Sequence, residues 1–352
     1  MPYTRLPESH LTLYSELVDQ AIGVAAAESA MGVVRGSFIS KEIKGRTYWY
    51  LQRSFGEGKN QSYLGPDSPA LRRWMEQARV STSEAEADRS NLGRIAKMLS
   101  AGGAHREPAA TLKALRLLAD SRVFQLGGVL VGTLAFRTYA NALGVKFEKS
   151  ALQSQDLDIA HDPAIGVALA RQTGPVELEE LIASSGLNLH PVPPLDPKRP
   201  STSFKVRGRD LRIDFLTPMR GRESQEPVFL PAFGLSAQPL RNLDYLLEPV
   251  IQAVAVGSDP VLVNLPDPAR FALHKLWASR KRTAGFQAKA RKDTLQAEQL
   301  IEVLLDDRSD DLVDAWTALP SDKARGIVKT AVSGLAPSIS DRLCDLLNLT
   351  DS

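Results

Sequence analysis

The spacing of hydrophobic residues near the start of the chain changes from a helical period to a strand period. Between Leu11 and Ser29 apolar residues recur at helical spacing, which predicts one amphipathic helix. Between residues 32 and 66 apolar and polar residues alternate in three short runs separated by turn residues. This alternation is typical of β-strands, so we expect a small antiparallel sheet after the first helix.

Helical patterns return after the predicted sheet. Ser68 and Pro69 fit the cap and first turn of a helix that we expect to end near Val80. A second helix is expected from residue 83 to about residue 103, and a third from residue 108 to residue 119.

The middle of the chain mixes short apolar runs with loops rich in glycine and proline. Val123 to Leu126 is predicted to be a strand that leads into a turn and then a helix over about 131–143. A helix is also expected over 176–184. The five prolines between His190 and Pro200 predict a loop, and the apolar runs on either side of Gly208 predict a β-hairpin.

From Leu240 onward the pattern is mainly helical. Pro266 and Pro268 are expected to introduce the first helix. The later helices are expected at about 286–305, 310–318, 322–333 and 338–348. We therefore predict an α/β (α+β) protein with three parts. These are an N-terminal helix, small β-sheet and helical linker (1–105), a catalytic core with a short mixed sheet (106–240) and a helical C-terminal domain (241–352).

Composition limits the classes of protein that fit. Of the 352 residues, 43% are hydrophobic and 24% are charged, as in ordinary soluble globular proteins. The net charge of +2 means that nucleic acid must be met by local basic patches. The single cysteine, Cys344, excludes an internal disulfide and fits a reducing compartment. No apolar run approaches the ~20 residues of a membrane span, and we see no secretion signal, so we expect a cytoplasmic protein with no membrane partner.

Three aspartates carry the chemistry that the sequence suggests. Asp156 and Asp158 alternate with apolar residues, which predicts a strand with both carboxylates on one face. Asp214 lies between apolar residues in a later run and joins them if the two strands pair. Clustered carboxylates repel one another unless cations lie between them, and Mg²⁺ prefers oxygen ligands. We expect these three residues to be catalytic ligands of two Mg²⁺ ions, with Mn²⁺ as an alternative ion.

Two adjacent glycines precede the helix expected over 131–143. Gly127 and Gly128 are expected at a strand-to-helix junction, where the backbone can approach a ligand closely. The helix N-terminus that follows favours phosphate, and Thr133 offers a hydroxyl donor. These three residues are therefore predicted to contact a nucleotide.

The order of these elements resembles a known superfamily. Gly127–Gly128, the Asp156 and Asp158 pair and then Asp214 resemble the nucleotidyltransferase superfamily of DNA polymerase β. Residues 266–276 and 289–297 are similar to the helical half of the AbiEii and MenT group, which comprises bacterial nucleotidyltransferase toxins and their relatives. The resemblance covers about residues 120 to 305 and leaves the first 105 residues aside.

The resemblance implies an activity and further site residues. It implies transfer of a nucleoside monophosphate from a nucleoside triphosphate to a hydroxyl of RNA such as tRNA, of a protein or of a small molecule. In the toxins a helical lysine and a Lys-Asp pair line the nucleotide pocket, and the matching residues here are Lys275, Lys292 and Asp293. It also implies a toxin-like enzyme with an antitoxin protein as partner.

Two basic regions of the sequence indicate which kind of molecule the protein binds. Eight basic residues and no acidic one lie between Pro268 and Lys292, which favours binding of triphosphate or RNA phosphates over a merely solvated helix face. In the predicted N-terminal sheet, Tyr48, Trp49, Tyr50 and Tyr63 are interleaved with basic residues, as in surfaces that stack on bases. The alternative is that these aromatic residues form the core of the sheet.

The competing function class is a catalytically inactive nucleic-acid-binding module that keeps the nucleotidyltransferase fold. The intact set of three aspartates favours the active enzyme, because an inactive copy has no physical need for clustered acids. The sequence contains no P-loop, no Gly-x-Ser-x-Gly elbow and no histidine spacing typical of zinc.

Overall fold

The computed structural model describes residues 3–31, 36–55, 58–148, 156–164, 176–194, 196–282 and 284–349. The helices are α1 (Glu8–Met31), α2 (Pro69–Ala101), α3 (Ala109–Asp120), α4 (Gly132–Ala142), α5 (Leu178–Ser184), α6 (Asp244–Leu247), α7 (Pro268–Lys281), α8 (Gln287–Asp307), α9 (Ser309–Thr317), α10 (Asp322–Val332) and α11 (Pro337–Leu347). The strands are β1 (Tyr3–Arg5), β2 (Ser37–Ile43), β3 (Arg46–Phe55), β4 (Gly58–Pro66), β5 (Val129–Val131), β6 (Val145–Phe147), β7 (Asp156–Ala160), β8 (Leu189–Pro191), β9 (Ser203–Val206), β10 (Arg212–Pro218), β11 (Val228–Leu230), β12 (Leu235–Leu240), β13 (Val250–Ala255) and β14 (Val261–Pro266).

A mixed sheet lies at the centre of the catalytic half. Its order is β11-β12-β10-β7-β5, and the β8–β9 pair joins it through β9 and β10. Strand β10 runs parallel to both β7 and β12, whereas β5 runs antiparallel to β7. Alternate residues of the two central strands are fully buried: Leu157, Ile159, Ile213 and Phe215. This alternation is what the sequence predicts, and the α/β fold with a mixed sheet is confirmed.

Two groups of buried residues form the core. The larger one joins α3, α4 and the central sheet to the C-terminal helices α7–α11. In the smaller one, α1 and the C-terminal part of α2 pack on Val254 and Val256. The larger group crosses residue 240 without a break, and the predicted division of the chain into three domains stays a prediction.

The helix predicted to end near Val80 is in fact continuous. Helix α2 runs through the polar residues 81–83 to Ala101, so the predicted break there is wrong. Thr82 Oγ1 donates to the Ala78 carbonyl at 2.6 Å, which satisfies its hydroxyl without ending the helix. Ser68 caps the helix by accepting from the Leu71 N–H, as predicted.

Three other expectations need correction. Residues 121–127 form turns, which are closed by a hydrogen bond from the Gly128 N–H to the Val123 carbonyl at 2.8 Å. The strand predicted at 123–126 is therefore absent, and the first strand of this region is β5, which begins at Val129. The loop was predicted to begin at His190, but His190 and Pro191 belong to strand β8, so the predicted start of the loop is wrong. The region after Leu240 contains the β13–β14 hairpin, which packs against β5 and α3. Its two runs rich in valine, 250–256 and 261–265, flank the turn residues 257–260, a hairpin signal that our prediction of a mainly helical region overlooked.

The N-terminal sheet has the predicted antiparallel order β2-β3-β4. Residues 32–35, where its first strand was expected to begin, lie outside the described residues. Among the helices that are described, none combines the length and the hydropathy that crossing a membrane requires.

Candidate active site on the central sheet

The register of β7 and β10 brings the three predicted aspartates onto neighbouring strands. Asp158 lies opposite Asp214, and Asp156 lies opposite Arg212. Adjacent strands are about 4.8 Å apart, and residues in register on parallel strands point to the same face. Asp214 was expected to join the other two aspartates if its strand paired beside theirs. Strands β7 and β10 do pair in this way, so that condition is met.

Asp158 is the most strongly perturbed member of the cluster. Burial and the negative charges of Asp214 and Asp156 raise the pKa of Asp158 to about 6, from an ordinary value of 3.8. The positive charges of Lys275 and Lys289 act in the opposite direction. Ionised Asp158 is thus a carboxylate that a nearby cation would stabilise.

Asp214 is held by its own strand and by the neighbouring strand β9. Arg212 Nε donates to Asp214 Oδ1 at 2.7 Å, and the Ser203 hydroxyl donates to the same oxygen. Arg212 also donates to Ser203 Oγ at 2.8 Å, so the three side chains form one small network. Both bonds to Asp214 end on Oδ1, which leaves Oδ2 as the oxygen for a further ligand.

The donor set fits a hard divalent cation such as Mg²⁺. All three predicted ligands offer carboxylate oxygens, and like charges crowd the half-buried Asp158. Over the parts of the chain that the structure describes, no group of three or more histidine, cysteine or acidic side chains is arranged to hold a metal ion by itself. A metal ion bound by these aspartates would therefore need further oxygen ligands from water or substrate.

A glycine that we did not single out lies directly against the carboxylates. Gly132 is the residue at the junction of β5 and α4, with φ +70°, and a Cβ built there would lie 2.0 Å from Asp158 Oδ2. Only glycine therefore allows the strand-to-helix turn to pass this close to Asp158. The signal in the sequence was the apolar run Val129–Val131 just before it, a better strand than residues 123–126.

Thr133 and the glycine pair have different surroundings. Thr133 is buried in the first turn of α4, and Gln296 Nε2 lies 3.4 Å from its hydroxyl oxygen. Gly127 and Gly128 precede β5, so their expected place at the strand-to-helix junction is wrong. A Cβ at Gly128 would lie 2.6 Å from Val123 Cγ1, so this glycine permits close packing within the turn. Contact of these three residues with a nucleotide stays a prediction.

Helices α7 and α8 bring an ion-pair network to the cluster. Lys275 Nζ donates to Asp293 Oδ1 at 2.8 Å, and Arg282 donates to Asp293 Oδ2 at 2.6 Å. Burial alone raises the pKa of Asp293, but the charges and hydrogen bonds of Lys275 and Arg282 outweigh burial and lower it overall. Asp293 is thus a buried carboxylate that fixes two cations, and Lys275 is close enough to act on Asp158.

Lys292, next to Asp293 on α8, is a half-buried cation. Burial and then the positive charge of Lys275 lower the pKa of Lys292 to about 8, although Asp293 and Asp156 act to raise it. The structure therefore brings Lys275, Lys292 and Asp293 together, and the charges of both lysines interact with the aspartates of β7.

Replacing Gly132 by alanine tests its close approach to Asp158. Gly208 is a matched control, because it has φ +74° but no atom within 4 Å of a Cβ. We expect Gly208→Ala to lower the free energy of unfolding by about 1–2 kcal/mol through backbone strain. Gly132→Ala is expected to cost about 1–3 kcal/mol more through the clash. Urea unfolding measures the free energy of unfolding of both variants. Equal losses of stability in Gly132→Ala and Gly208→Ala would contradict the close approach of Gly132 to Asp158.

Charge removal at Asp158 should stabilise the metal-free protein in a pH-dependent way. The folded-state pKa of about 6 exceeds the ordinary 3.8, so wild type loses stability as the pH rises from about 4 through 6. Asp158→Asn stays neutral, so in EDTA at pH 7.5 it should be more stable by about 1–3 kcal/mol. The gain should shrink toward pH 4. A gain independent of pH, or one shared by the exposed control Asp210→Asn, would refute this origin.

Comparison with known proteins agrees with this geometry. A family model described as nucleotidyltransferase matches residues 109–320, more than half of the chain. The match includes the strands with Asp158 and Asp214 and the helices with Lys275 and Asp293. No curated protein and no solved structure matches the chain. On the strength of the family match, this chain belongs to the nucleotidyltransferase family.

Proposed function

We propose that this protein transfers a nucleoside monophosphate from a nucleoside triphosphate to a hydroxyl group, with release of pyrophosphate and the hydroxyl proton, in a reaction that depends on Mg²⁺ or Mn²⁺. The observation that supports this most directly is the register that sets Asp158 opposite Asp214 on adjacent parallel strands. The family match supports nucleotidyl transfer in general.

In this proposal the three aspartates hold the metal ions. Asp156 and Asp158 would hold the ion nearer the triphosphate, and all three aspartates would hold the ion beside the attacking hydroxyl. Metal bound there would neutralise phosphate charge and favour loss of the hydroxyl proton. The Arg212–Ser203 network fixes Asp214 through Oδ1 and leaves Oδ2 for a metal ion.

The cations of α7 and α8 bind and orient the triphosphate. Asp293 fixes the Lys275 ammonium in place, which reduces the conformational freedom that binding would otherwise remove. Lys292 contributes a second positive charge from the same helix as Asp293. Gly132 replaces Gly127–Gly128 as the glycine at the turn into α4, where the helix N-terminus can meet phosphate.

The acceptor and the biological role extend the same proposal. We favour RNA such as tRNA as the acceptor, with a protein or a small molecule as alternatives. The resemblance of residues 266–276 and 289–297 to toxin relatives makes a toxin-like role with an antitoxin partner a hypothesis for this chain.

Transfer of label from α-³²P nucleoside triphosphates tests the proposal. Each of the four nucleotides is incubated with Mg²⁺ and total bacterial RNA or cell protein. Wild type should label one fraction, whereas Asp158→Asn should transfer at least about 100-fold more slowly, because its charge stabilisation of the transition state is lost. The matched acid-to-amide control is Asp210→Asn, whose exposed side chain lies on the β9–β10 turn.

Each outcome of this assay is informative. Label with wild type and Asp210→Asn but not with Asp158→Asn would establish the reaction, and the labelled fraction would name the acceptor. Transfer by Asp158→Asn at the wild-type rate would refute the assignment of the site. Nucleotide binding without label in either fraction would indicate a small-molecule acceptor. Absence of both would favour an inactive nucleic-acid-binding module.

A further inference from the structure

Among the residues that the structure describes, the small sheet β2–β4 packs on the rest of the protein through one of its two faces. On the packed face Leu51 is buried, and the Phe38 ring contacts the Trp74 ring of α2 at 5.7 Å between centroids. A Cβ at Gly65 would lie 3.7 Å from the Leu71 side chain, so the same face also meets the first turn of α2. The core of this sheet is therefore on the α2 side.

Three tyrosines lie together on the opposite face. Tyr50 pairs with Tyr63 across β3 and β4, and Tyr48 lies two residues before Tyr50 on the same face. The Tyr63 ring is 5.4 Å from the Tyr50 ring and 6.2 Å from the Tyr48 ring. Tyr63 is 57% exposed. These three rings form an outward platform, whereas Trp49 lies on the packed face with Leu51. Of the four aromatic residues that the sequence left open, three therefore face outward and one faces the core of the sheet.

The charges on this face are positive. Lys41 Nζ lies 4.6 Å above the centre of the Tyr50 ring and donates to Gln61 Oε1 at 2.6 Å. Arg46 lies two residues before Tyr48 and so shares its face. Glu42, by the same alternation, belongs to the packed face. Among the described residues of β2–β4, no carboxylate lies on the tyrosine side.

Amide groups extend this platform along the strands. Gln61 Nε2 donates to Gln52 Oε1 at 2.9 Å, on the same face as the tyrosines. We refer to Lys41, Arg46, Tyr48, Tyr50, Gln52, Gln61 and Tyr63 together as the tyrosine face. It offers flat rings for stacking, cations for phosphates, and amides that can bond to base edges.

The tyrosine face lies near the N-terminal end of helix α2, far from the core that α2 shares with α1. Trp74, near the sheet, and Ile95, in the core shared with α1, lie on the same continuous helix α2. At 1.5 Å per residue their separation along the helix axis is roughly 30 Å. A mononucleotide spans much less than this, so a ligand that engages both the tyrosine face and the body of the protein must be a polymer.

We propose that the tyrosine face binds single-stranded RNA. Stacking on aromatic rings requires unpaired bases, because a duplex hides the base faces, and the cations match the phosphate backbone. The family match begins at residue 109 and does not include this sheet. That the bound RNA is the acceptor of the transferred nucleotide rests on the function proposed above, whereas RNA binding itself does not.

Fluorescence anisotropy with a labelled 20-nucleotide oligo(U) tests the proposal. The assay contains EDTA and no nucleoside triphosphate, so its result does not depend on catalysis. Wild type should bind, Tyr63→Ala should bind at least about fivefold more weakly, and Tyr63→Trp should retain binding because it keeps a stacking ring. Lys41→Gln should weaken binding and reduce the dependence of affinity on salt.

Phe229→Ala is the matched control, because Phe229 is a similarly exposed aromatic residue, 59% exposed, on β11. It should bind oligo(U) as wild type does, and equal melting temperatures should show that all variants are folded. The proposal is overturned if wild type does not bind, if Tyr63→Ala and Phe229→Ala bind equally, or if duplex RNA binds as tightly as oligo(U). If Asp158→Asn loses nucleotidyl transfer but binds RNA normally, that result would support RNA binding as a property separate from catalysis.

Discussion

The parallel pairing of β7 with β10 is the constraint on which the site depends. On one face of these strands, Leu157 and Phe215 are fully buried, and this apolar side stabilises the pairing. On the other face the same register sets Asp158 opposite Asp214, whose negative charge adds to burial in raising the pKa of Asp158. The hydrophobic core thus holds in place a cluster of charges that would separate if the strands could slip by one residue.

The second half of the site comes from the C-terminal helices, and one buried carboxylate organises it. Asp293 lies on α8, binds Lys275 of α7 and also binds Arg282 beyond the end of α7. This ion-pair network stabilises the α7–α8 arrangement and keeps positive charge close to the aspartates. An unpaired charge at this depth would be costly, so Asp293 and its cations depend on one another. The cations and the sheet carboxylates are consequently complementary parts of one charged centre.

Sequence patterns predicted the elements whose period was strong. The alternation around Asp156 and Asp214 gave the two central strands, although only their pairing in space could show that Asp158 faces Asp214. The glycine signal was misassigned, because Gly127–Gly128 is the more conspicuous pair while Gly132 approaches Asp158. The β13–β14 hairpin was overlooked although its two runs rich in valine flank turn residues, and its packing on β5 is a contact distant in sequence. Likewise, only the packing of β2–β4 on α2 could show which aromatic residues face outward.

Counting bound Mn²⁺ by electron paramagnetic resonance tests the central claim most directly. The protein is titrated in the presence of α,β-methylene analogues of the four nucleoside triphosphates, which bind without being cleaved. With its cognate analogue, wild type and Asp210→Asn should bind up to about two Mn²⁺ ions per chain. Asp158→Asn should bind at least about tenfold more weakly, because it loses a charged ligand. Equal Mn²⁺ binding by wild type and Asp158→Asn would contradict a metal site formed by β7 and β10.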